Sequence, residues 1–243
     1  MRLFPKNSAV GLGMLNKFFF LCDEMKKIVI AIDGFSSTGK STLARQLAEK
    51  LSYTYVDSGA MYRAITLYFL DHHIDLTDKE QVIKALEHVV LGFENNKITL
   101  NGDVVDEQIR TMAVANLVSE VAALKEVRRL AVLQQQRMGD DKGLVMDGRD
   151  IGTTVFPKAE LKIYLTARED IRTHRRYEEM KLKNDRITLG EVAENLKHRD
   201  LIDSTREVSP LRKAKDALVL DNSALTMEQQ LAMALQWAKE RGA

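Results

Sequence analysis

The chain has 243 residues, of which 45% are hydrophobic, and this composition is sufficient to bury a large core in one or two domains. Thirty-six Lys and Arg residues oppose thirty-five Asp and Glu residues, so the net charge of +1 gives no overall field that would attract nucleic acid or an anionic membrane. Cys22 is the only cysteine, which excludes an internal disulfide and is typical of the reducing cytoplasm. The five histidines lack metal-ligand spacing. We therefore expect a cytoplasmic protein without nucleic-acid or membrane partners.

Residues 1–24 differ from the rest of the chain. A basic start and the apolar run at 18–21 faintly resemble a signal peptide, but Lys17 interrupts the apolar stretch and no cleavage site of small residues follows. No stretch of roughly 20 apolar residues is present that could span a membrane. The segment is either a disordered leader or is not translated, and we favour a start at Met25 because a strand begins directly after it. Mass spectrometry of the protein from its own host would decide between the two.

The remaining chain alternates short apolar runs with amphipathic segments. Ile28 to Ile32 is a continuous apolar run, as expected for a strand buried on both faces of a parallel sheet. Thr226 and Gln229 form a capping-box pattern that begins a last helix. Strands that alternate with helices predict an α/β fold with a parallel sheet and right-handed crossovers. The other predicted strands lie at 53–56, 144–146, 161–165 and 217–220, and the other predicted helices at 43–51, 61–70, 108–138, 168–180 and 189–203.

Residues 89–105 interrupt this alternation. Short apolar runs separated by Asn95-Asn96 and Asn101-Gly102 predict a small antiparallel sheet with tight turns. Because this patch falls between the second and third predicted strands of the parallel sheet, the patch and its neighbouring helices form an insertion in the α/β core. The sequence contains no internal repeats and no low-complexity linkers.

A phosphate-binding loop follows the first strand. Residues 34–41 match the P-loop pattern G-x-x-x-x-G-K-[ST] in full, between a predicted strand and a predicted helix. The glycines let backbone N–H groups point at phosphates, Lys40 reaches the β- and γ-phosphates, and the hydroxyl of Ser41 ligates Mg²⁺. The N-terminus of the following helix favours the same negative charge. We expect a nucleoside triphosphate to be bound by Gly34, Phe35, Ser36, Ser37, Thr38, Gly39, Lys40, Ser41 and Thr42.

The P-loop alone indicates triphosphate binding and no particular reaction. The base-reading N-K-x-D segment of GTPases is absent, and a motor or transporter subunit would usually need a longer chain. Guanidinium groups bind phosphate oxygens bidentately, so arginines near strand ends or on charged helices are candidates for phosphoryl transfer. Each of these arginines, taken singly, is better explained as part of a solvated surface than as a phosphate ligand. As a set beside a P-loop, the two explanations are equally good. The arginines are Arg63, Arg110, Arg128, Arg149, Arg172, Arg175, Arg176, Arg199 and Arg206.

Three further motifs are D-S-G-A-M-Y-R at residues 57–63, D-G-R-D at residues 147–150, and Arg199 with Asp203 and Arg206 on a charged helix. Together they resemble the bacterial cytidylate (CMP) kinase family, and the resemblance covers residues 25–243. It implies a P-loop kinase core with a five-stranded parallel sheet, an acceptor-binding insertion and a short lid near 175–190. The corresponding boundaries are 25–60, 139–174 and 207–243 for the core, 61–138 for the CMP-binding insertion, and 175–206 for the lid with its flanking helices.

The resemblance also implies roles for individual residues. ATP with Mg²⁺ would donate a phosphoryl group to CMP and dCMP, and a monomer is expected because many such small kinases are monomeric. Lys40, Arg149, Arg175 and Arg176 would be catalytic, while the metal would be bound by Ser41 and, through water, by Asp147. Among the acceptor-binding residues, Ser119, Arg128 and Asp150 would read the cytosine. The full set implied to bind CMP is Ser58, Tyr62, Arg63, Ser119, Arg128, Arg149, Asp150, Arg199, Asp203 and Arg206.

Two spacings within these motifs lead to structural expectations. Arg199, Asp203 and Arg206 stand at i, i+4 and i+7, so one helix face would present all three, unless they form an ordinary surface ion pair. Ser119 and Arg128 are nine residues apart, which places them on opposite faces of a straight helix. If both contact the base, the helix must break near residues 123–125.

Two departures from the family pattern are visible, and two alternative functions stay open. Phe35 lies where relatives often carry proline, and Ser36-Ser37-Thr38 makes this loop poorer in glycine than many. Leu201-Ile202 is apolar where relatives often carry charge, but neither departure removes a proposed ligand. One alternative is a P-loop kinase for another acceptor, such as AMP, dTMP or shikimate. The other is a nucleotide-binding regulatory or RNA-binding protein, against which the neutral net charge and the absent GTPase motif both argue.

Overall fold

The computed structural model describes residues 26–94, 97–182 and 186–243. The expected leader at 1–24, the favoured start at Met25, the Asn95-Asn96 turn and positions 183–185 of the expected lid lie outside the described residues. In the part that is described, no helix has both the length and the apolar character that crossing a bilayer requires.

Two sheets form the framework. The larger sheet of the described chain has the strand order β2-β6-β1-β7-β8 with all neighbours parallel, and the smaller sheet, β3-β4-β5, is antiparallel. The predictions of a five-stranded parallel sheet and of a small antiparallel sheet are therefore confirmed. The strands are β1 Val29–Asp33, β2 Thr54–Asp57, β3 Leu91–Glu94, β4 Lys97–Leu100, β5 Asp103–Val104, β6 Leu144–Gly148, β7 Leu161–Thr166 and β8 Leu218–Asp221.

Helices cover both faces of the parallel sheet and build the insertion. On one face, Ile30 of the sheet is buried with Leu43 and Leu47 of α1 and with Ala234 of α8. A separate apolar cluster lies between α2, α4, α5 and β4. The helices are α1 Lys40–Leu51, α2 Ser58–Asp71, α3 Lys79–Glu87, α4 Met112–Ala123, α5 Lys125–Met138, α6 Glu169–Lys181, α7 Leu189–Thr205 and α8 Met227–Glu240.

The predicted helix at 108–138 is divided into three pieces. A short 3₁₀ turn precedes α4, and Leu124 between α4 and α5 has an extended backbone, with φ −64° and ψ 129°. The expected break near residues 123–125 is therefore confirmed. It lets Ser119 on α4 and Arg128 on α5 face the same cleft, which a straight helix would prevent.

The end of α7 corrects one expectation. The helix stops at Thr205, and Arg206 lies just outside it with φ −54° and ψ 144°, so the proposal that one helix face presents Arg199, Asp203 and Arg206 was wrong for Arg206. The Arg206 guanidinium turns back to the Ser209 carbonyl, to which Nε donates at 2.9 Å and Nη2 at 2.7 Å. These bonds require the chain to leave the helix at that position.

Two local structures had no counterpart in the sequence-based prediction. One is α3, and the other is a single π-helical turn at Ile151–Val155, directly after β6. Asp33, the last residue of β1, holds this turn by accepting hydrogen bonds from the backbone N–H groups of Ile151 (2.8 Å) and Gly152 (2.7 Å). The first strand therefore positions the D-G-R-D segment across the sheet.

Parallel pairing gathers the carboxylates at one edge of the sheet. Asp33 of β1 is in register with Gly148 of β6, and Asp57 of β2 is in register with Asp147 of β6. Asp33, Asp57 and Gly148 end their strands, and α1 begins at the same edge after the P-loop. Ligands in parallel α/β folds bind at this carboxyl edge of the sheet.

Replacing Gly34 with alanine should destabilise the fold. Gly34 has φ +155°, and a Cβ there would meet the Leu165 carbonyl oxygen of β7 at 2.1 Å, so the P-loop or β7 must move. We expect a loss of about 1–3 kcal/mol or more in the free energy of unfolding, measured by urea denaturation. Gly190→Ala is the matched control, because Gly190 lies in α7 with open space around it and should gain up to about 1 kcal/mol. Equal stability of the two variants would contradict the close approach at Gly34.

Candidate active site

One large cleft lies over the carboxyl edge of the parallel sheet. Its volume is about 870 Å³, within the usual range for ligand sites. The P-loop, the start of α2, the α4–α5 break, the end of β6, and α6 and α7 all contribute to its walls. Every residue proposed for CMP, metal or catalysis lines this cleft, and of the nine P-loop residues Gly34, Phe35 and Thr38 do not.

The backbone of the P-loop is curled. Ser37 and Gly39 both have left-handed backbone angles, with φ 58° and 87°. Lys40 is buried, and its Nζ donates to the Phe35 carbonyl at 2.6 Å, while the Thr38 hydroxyl donates to the same carbonyl at 3.0 Å. Phe35 and Thr38 thus shape the loop from outside the cleft. Burial, followed by the nearby Arg149 charge, lowers the pKa of Lys40 to about 7.

Ser41 and Asp147 form the part of the site that suits a metal. The Ser41 hydroxyl donates its only proton to Asp147 Oδ2 at 3.0 Å, which leaves the lone pairs of the hydroxyl free for a cation. Burial, followed by the nearby Asp57 charge, raises the pKa of Asp147 to about 6. The described residues contain no cluster of three or more metal-ligating His, Cys, Asp or Glu side chains. A metal that arrives with phosphates and water, as Mg²⁺ does, fits this sparse donor set.

The proposed base-reading residues form a buried charged group. Arg128 is 1% exposed, and its Nη2 donates to Asp150 Oδ2 at 2.5 Å. The other oxygen of Asp150 accepts from Arg206 at 3.4 Å, and the Arg128 guanidinium lies over the Tyr62 ring at 5.3 Å. Ser119 is buried and lines the same end of the cleft. Asp150 therefore faces the cleft with its geometry set by two arginines.

A chain of ion pairs links this group to the P-loop. Asp203 accepts from Arg206 at 3.4 Å and from Arg149 Nε at 2.7 Å, and Arg149 Nη2 donates to the Ser36 hydroxyl at 2.8 Å. Burial opposes ionisation of Asp203, but Arg149 and Arg206 outweigh it and hold the pKa of Asp203 below its ordinary value. The Arg128–Asp150–Arg206 group and the P-loop are thus connected by direct contacts.

Arginines converge at the middle of the cleft. The buried Nε atoms of Arg63, Arg176 and Arg199 have no hydrogen-bond partner among the described residues. Burial, followed by the charges of Arg149, Arg176 and Arg63, lowers the pKa of Arg199 to about 10. Unpartnered cationic donors that repel one another define a site for a multiply charged anion.

The remaining proposed ligands have contacts of their own. Arg63 donates to Asp57 at 2.8 Å, Arg176 to Glu179 at 2.9 Å, and Arg175 to Asn222 Oδ1 at 3.1 Å. Arg175 thus lies against the outer side of the P-loop, whereas Arg176 is directed to the arginine cluster. Ser58, which begins α2, donates to the Asp147 carbonyl at 2.6 Å, and Thr42 lines the cleft from α1.

Sequence reasoning missed Asp33, Tyr55, Asp200 and Asn222. Asn222 Nδ2 donates to the Thr38 carbonyl at 2.9 Å. Asp200 pairs with Arg172 Nη1 at 2.6 Å, and the same nitrogen donates to the Ser36 carbonyl at 3.2 Å. Asp33, as the last residue of the strand before the P-loop, could have been found from its position. Asp200 and Asn222 lie far from the loop in sequence, and Tyr55 contacts Asp147 across 92 residues.

The fold and the cleft define a P-loop kinase, since a parallel sheet presents a P-loop, a metal-suited Ser–Asp pair and an arginine-lined anion site to one cavity.

The family model for cytidylate kinase matches residues 30–240. The chain therefore belongs to the cytidylate kinase family. A cytidylate kinase of Bacteroides thetaiotaomicron is 53% identical over 226 residues, which cover 89% of this chain and 97% of that protein. One of Flavobacterium psychrophilum is 54% identical over 220 residues, which cover 87% of this chain and 97% of that protein.

Binding of a nucleoside triphosphate should take up protons at pH 8. Because burial lowers the pKa of Lys40 to about 7, much of the Lys40 population is neutral at pH 8 in the free protein. Contact with phosphate favours the charged form and raises this pKa, so ATP binding takes up protons. Calorimetry in two buffers of different ionisation enthalpy measures the uptake. Lys40→Met should show none, and equal uptake by both proteins would contradict the assignment.

Proposed function

We propose that the protein transfers the γ-phosphoryl group of ATP to CMP and dCMP, forming ADP and CDP or dCDP, with Mg²⁺ as the metal. The observation that carries this proposal is the set of unpartnered buried nitrogens on Arg63, Arg176 and Arg199. These arginines line the same cleft as Lys40 of the P-loop and the buried carboxylate of Asp150. A phosphate between them would neutralise the cluster while its nucleoside extends to Asp150.

The mechanism requires charge and position and no general base. The second pKa of a phosphate monoester is about 6, so the attacking oxygen of CMP is already ionised at neutral pH. Lys40, Arg149 and Arg176 would stabilise the charge on the transferring group, and Arg175 would act from the P-loop side. Ser41 and Asp147 would hold Mg²⁺, which supplies charge neutralisation at the phosphates. Closure of the lid over both nucleotides would exclude water as a competing acceptor.

Recognition of cytosine would rest on the buried ion-pair group. Asp150 is fixed by two arginines and can accept a hydrogen bond from the 4-amino group, and Arg128 can donate to the ring. Uracil carries an oxygen in place of the amino group and would leave Asp150 unpaired against an acceptor. A buried group without its partner costs about 1–3 kcal/mol, which supports discrimination by this site.

We further propose that the enzyme acts as a monomer in the cytoplasm and does not bind nucleic acid or membranes. The near-neutral net charge and the single cysteine support this proposal.

A panel of acceptors tests the proposed substrate. The purified protein with Mg·ATP should form CDP from CMP and dCDP from dCMP much faster than it phosphorylates AMP, dTMP or shikimate. Product analysis by chromatography provides the measurement. Faster turnover of any of the other acceptors would replace the proposed substrate with that compound while leaving the kinase assignment intact.

Replacing Lys40 with methionine should abolish turnover without unfolding the protein. The substitution preserves the apolar stem and removes the ammonium group that reaches the phosphates. We expect a fall in kcat of at least about 1000-fold, since charge stabilisation of this kind contributes several kcal/mol. Circular dichroism and thermal melting provide the control for folding. Near-normal turnover by a folded Lys40→Met protein would refute the role of Lys40.

Replacing Asp150 should change base selectivity more than overall activity. Asp150→Ala removes the acceptor for the 4-amino group, so kcat/KM should fall roughly 10-fold or more further for CMP than for UMP. The two substrates must be compared because the substitution also removes the ion-pair partner of Arg128 and Arg206. That disturbance affects CMP and UMP alike. Asp150→Asn preserves the shape and provides a second variant. Equal losses on CMP and UMP in both variants would count against base reading.

A further inference from the structure

Tyr55 contacts the metal-suited pair from the core of the protein. Its side chain is 9% exposed, and its hydroxyl donates to Asp147 Oδ1 at 2.9 Å. The other carboxylate oxygen, Oδ2, accepts from Ser41 at 3.0 Å. Each carboxylate oxygen of Asp147 therefore accepts a hydrogen bond from one hydroxyl, and the two bonds fix the orientation of the carboxylate plane.

The geometry of the sheet explains how Tyr55 reaches Asp147. Tyr55 on β2 is in register with Val145 on β6, and the next residue on the same face of β6 is Asp147. The phenol therefore extends along β6 to the diagonal neighbour, within reach of an aromatic side chain. From above, the Arg45 guanidinium of α1 lies over the ring at 5.6 Å, which holds it against the sheet.

The hydroxyl of Tyr55 donates its proton to Asp147. A tyrosine phenol has an ordinary pKa of about 10, so it keeps this proton at neutral pH. The ammonium group of Lys40 is engaged with the Phe35 carbonyl. Within the described ranges, Tyr55 is thus the side chain that satisfies Asp147 Oδ1.

The bond to Tyr55 has a consequence for Ser41. If Asp147 could rotate, Oδ2 would leave the Ser41 proton, and the lone pairs of Ser41 would not be held toward the cleft. With Oδ1 fixed by Tyr55, the Ser41 proton stays on Asp147 and the lone pairs face the phosphate side. Partners of this kind commonly set the orientation of metal-binding groups.

We propose that Tyr55 is a positioning residue for the metal half of the donor site: its hydroxyl fixes Asp147, and through Asp147 the Ser41 hydroxyl, in the orientation that receives the divalent cation of Mg·ATP. The inference rests on the proposed function, because it requires that ATP is bound together with a metal. Tyr55 does not line the cleft, so we expect it to have no part in ATP binding when the metal is absent.

The test compares ATP binding with and without Mg²⁺ in the full-length protein. Calorimetry gives the Kd for ATP in EDTA and in saturating Mg²⁺, and their ratio is the metal-dependent gain in affinity. In Tyr55→Phe we expect the Kd in EDTA to stay within about twofold of wild type, since phenylalanine fills the same space. The metal-dependent gain should fall roughly 10-fold. The Mg²⁺ concentration for half-maximal turnover should rise by the same factor, with kcat at saturating Mg²⁺ nearly unchanged.

Tyr53→Phe provides the matched control. Tyr53 lies two positions earlier in the chain, and its hydroxyl accepts from the Ile28 backbone N–H at 3.1 Å, away from the cleft. This variant removes a phenolic hydroxyl from the same region, and its metal-dependent gain should equal that of wild type. A thermal melt of both variants without ligand measures the loss of stability that each substitution causes.

The outcomes separate this inference from the proposed function. If Tyr55→Phe weakened ATP binding equally in EDTA and in Mg²⁺, or if its metal-dependent gain matched that of Tyr53→Phe, Tyr55 would be a structural residue and the inference would be overturned. If the wild type itself bound ATP with the same Kd in both conditions, the metal step of the proposed function would fail and the inference with it. Loss of the gain in Tyr55→Phe alone supports the proposal.

Discussion

The contact of the Asp150 carboxylate with two buried guanidinium groups is the interaction on which the proposed acceptor side of the molecule depends. Arg128 reaches it from α5 and Arg206 from the end of α7, and removing one partner would leave a buried charge uncompensated, which typically costs about 3–5 kcal/mol. Through Asp203 and Arg149 the same contacts extend to the P-loop. Three separate parts of the chain are therefore held in one arrangement by alternating charges.

Such a network is weak evidence for stability. The desolvation of buried ion pairs often equals or exceeds their mutual attraction, so apolar residues of similar size could fill the same volume at no loss. What apolar residues could not supply is a set of fixed dipoles and charges aimed at a substrate before it binds. The buried Nε atoms of Arg63, Arg176 and Arg199 lack a hydrogen-bond partner among the described residues, as does Nε of Arg128 within the network. The ion pairs thus hold the frame, and we propose that these remaining donors serve the anion.

The sequence determined the P-loop and the two sheets because those features rest on local patterns of glycine, apolar periodicity and turn residues. The sequence also predicted the break between α4 and α5. Ser119 and Arg128 were both expected to contact the base, but a straight helix would place them on opposite faces. Tyr55 and Asn222 could not be found in this way. Their contacts with Asp147 and Thr38 span 92 and 184 residues, and they depend on strand register and on the packing of α8. The end of α7 before Arg206 was missed. The Arg206 side chain there donates to the Ser209 carbonyl, which lies beyond the helix and is not part of the helical pattern.

The P-loop is poorer in glycine than many, and contacts with residues distant in sequence compensate for the missing glycines. Ser37 adopts a left-handed backbone angle, φ 58°, which costs a non-glycine residue about 1 kcal/mol or more. Arg172 donates to the Ser36 carbonyl and lies over the Phe35 ring at 5.3 Å, and Asn222 donates to the Thr38 carbonyl. Donors outside the loop thus hold its carbonyls outward, which leaves most of its N–H groups free to face phosphate. A loop held in this way does not need additional glycines to keep its curvature.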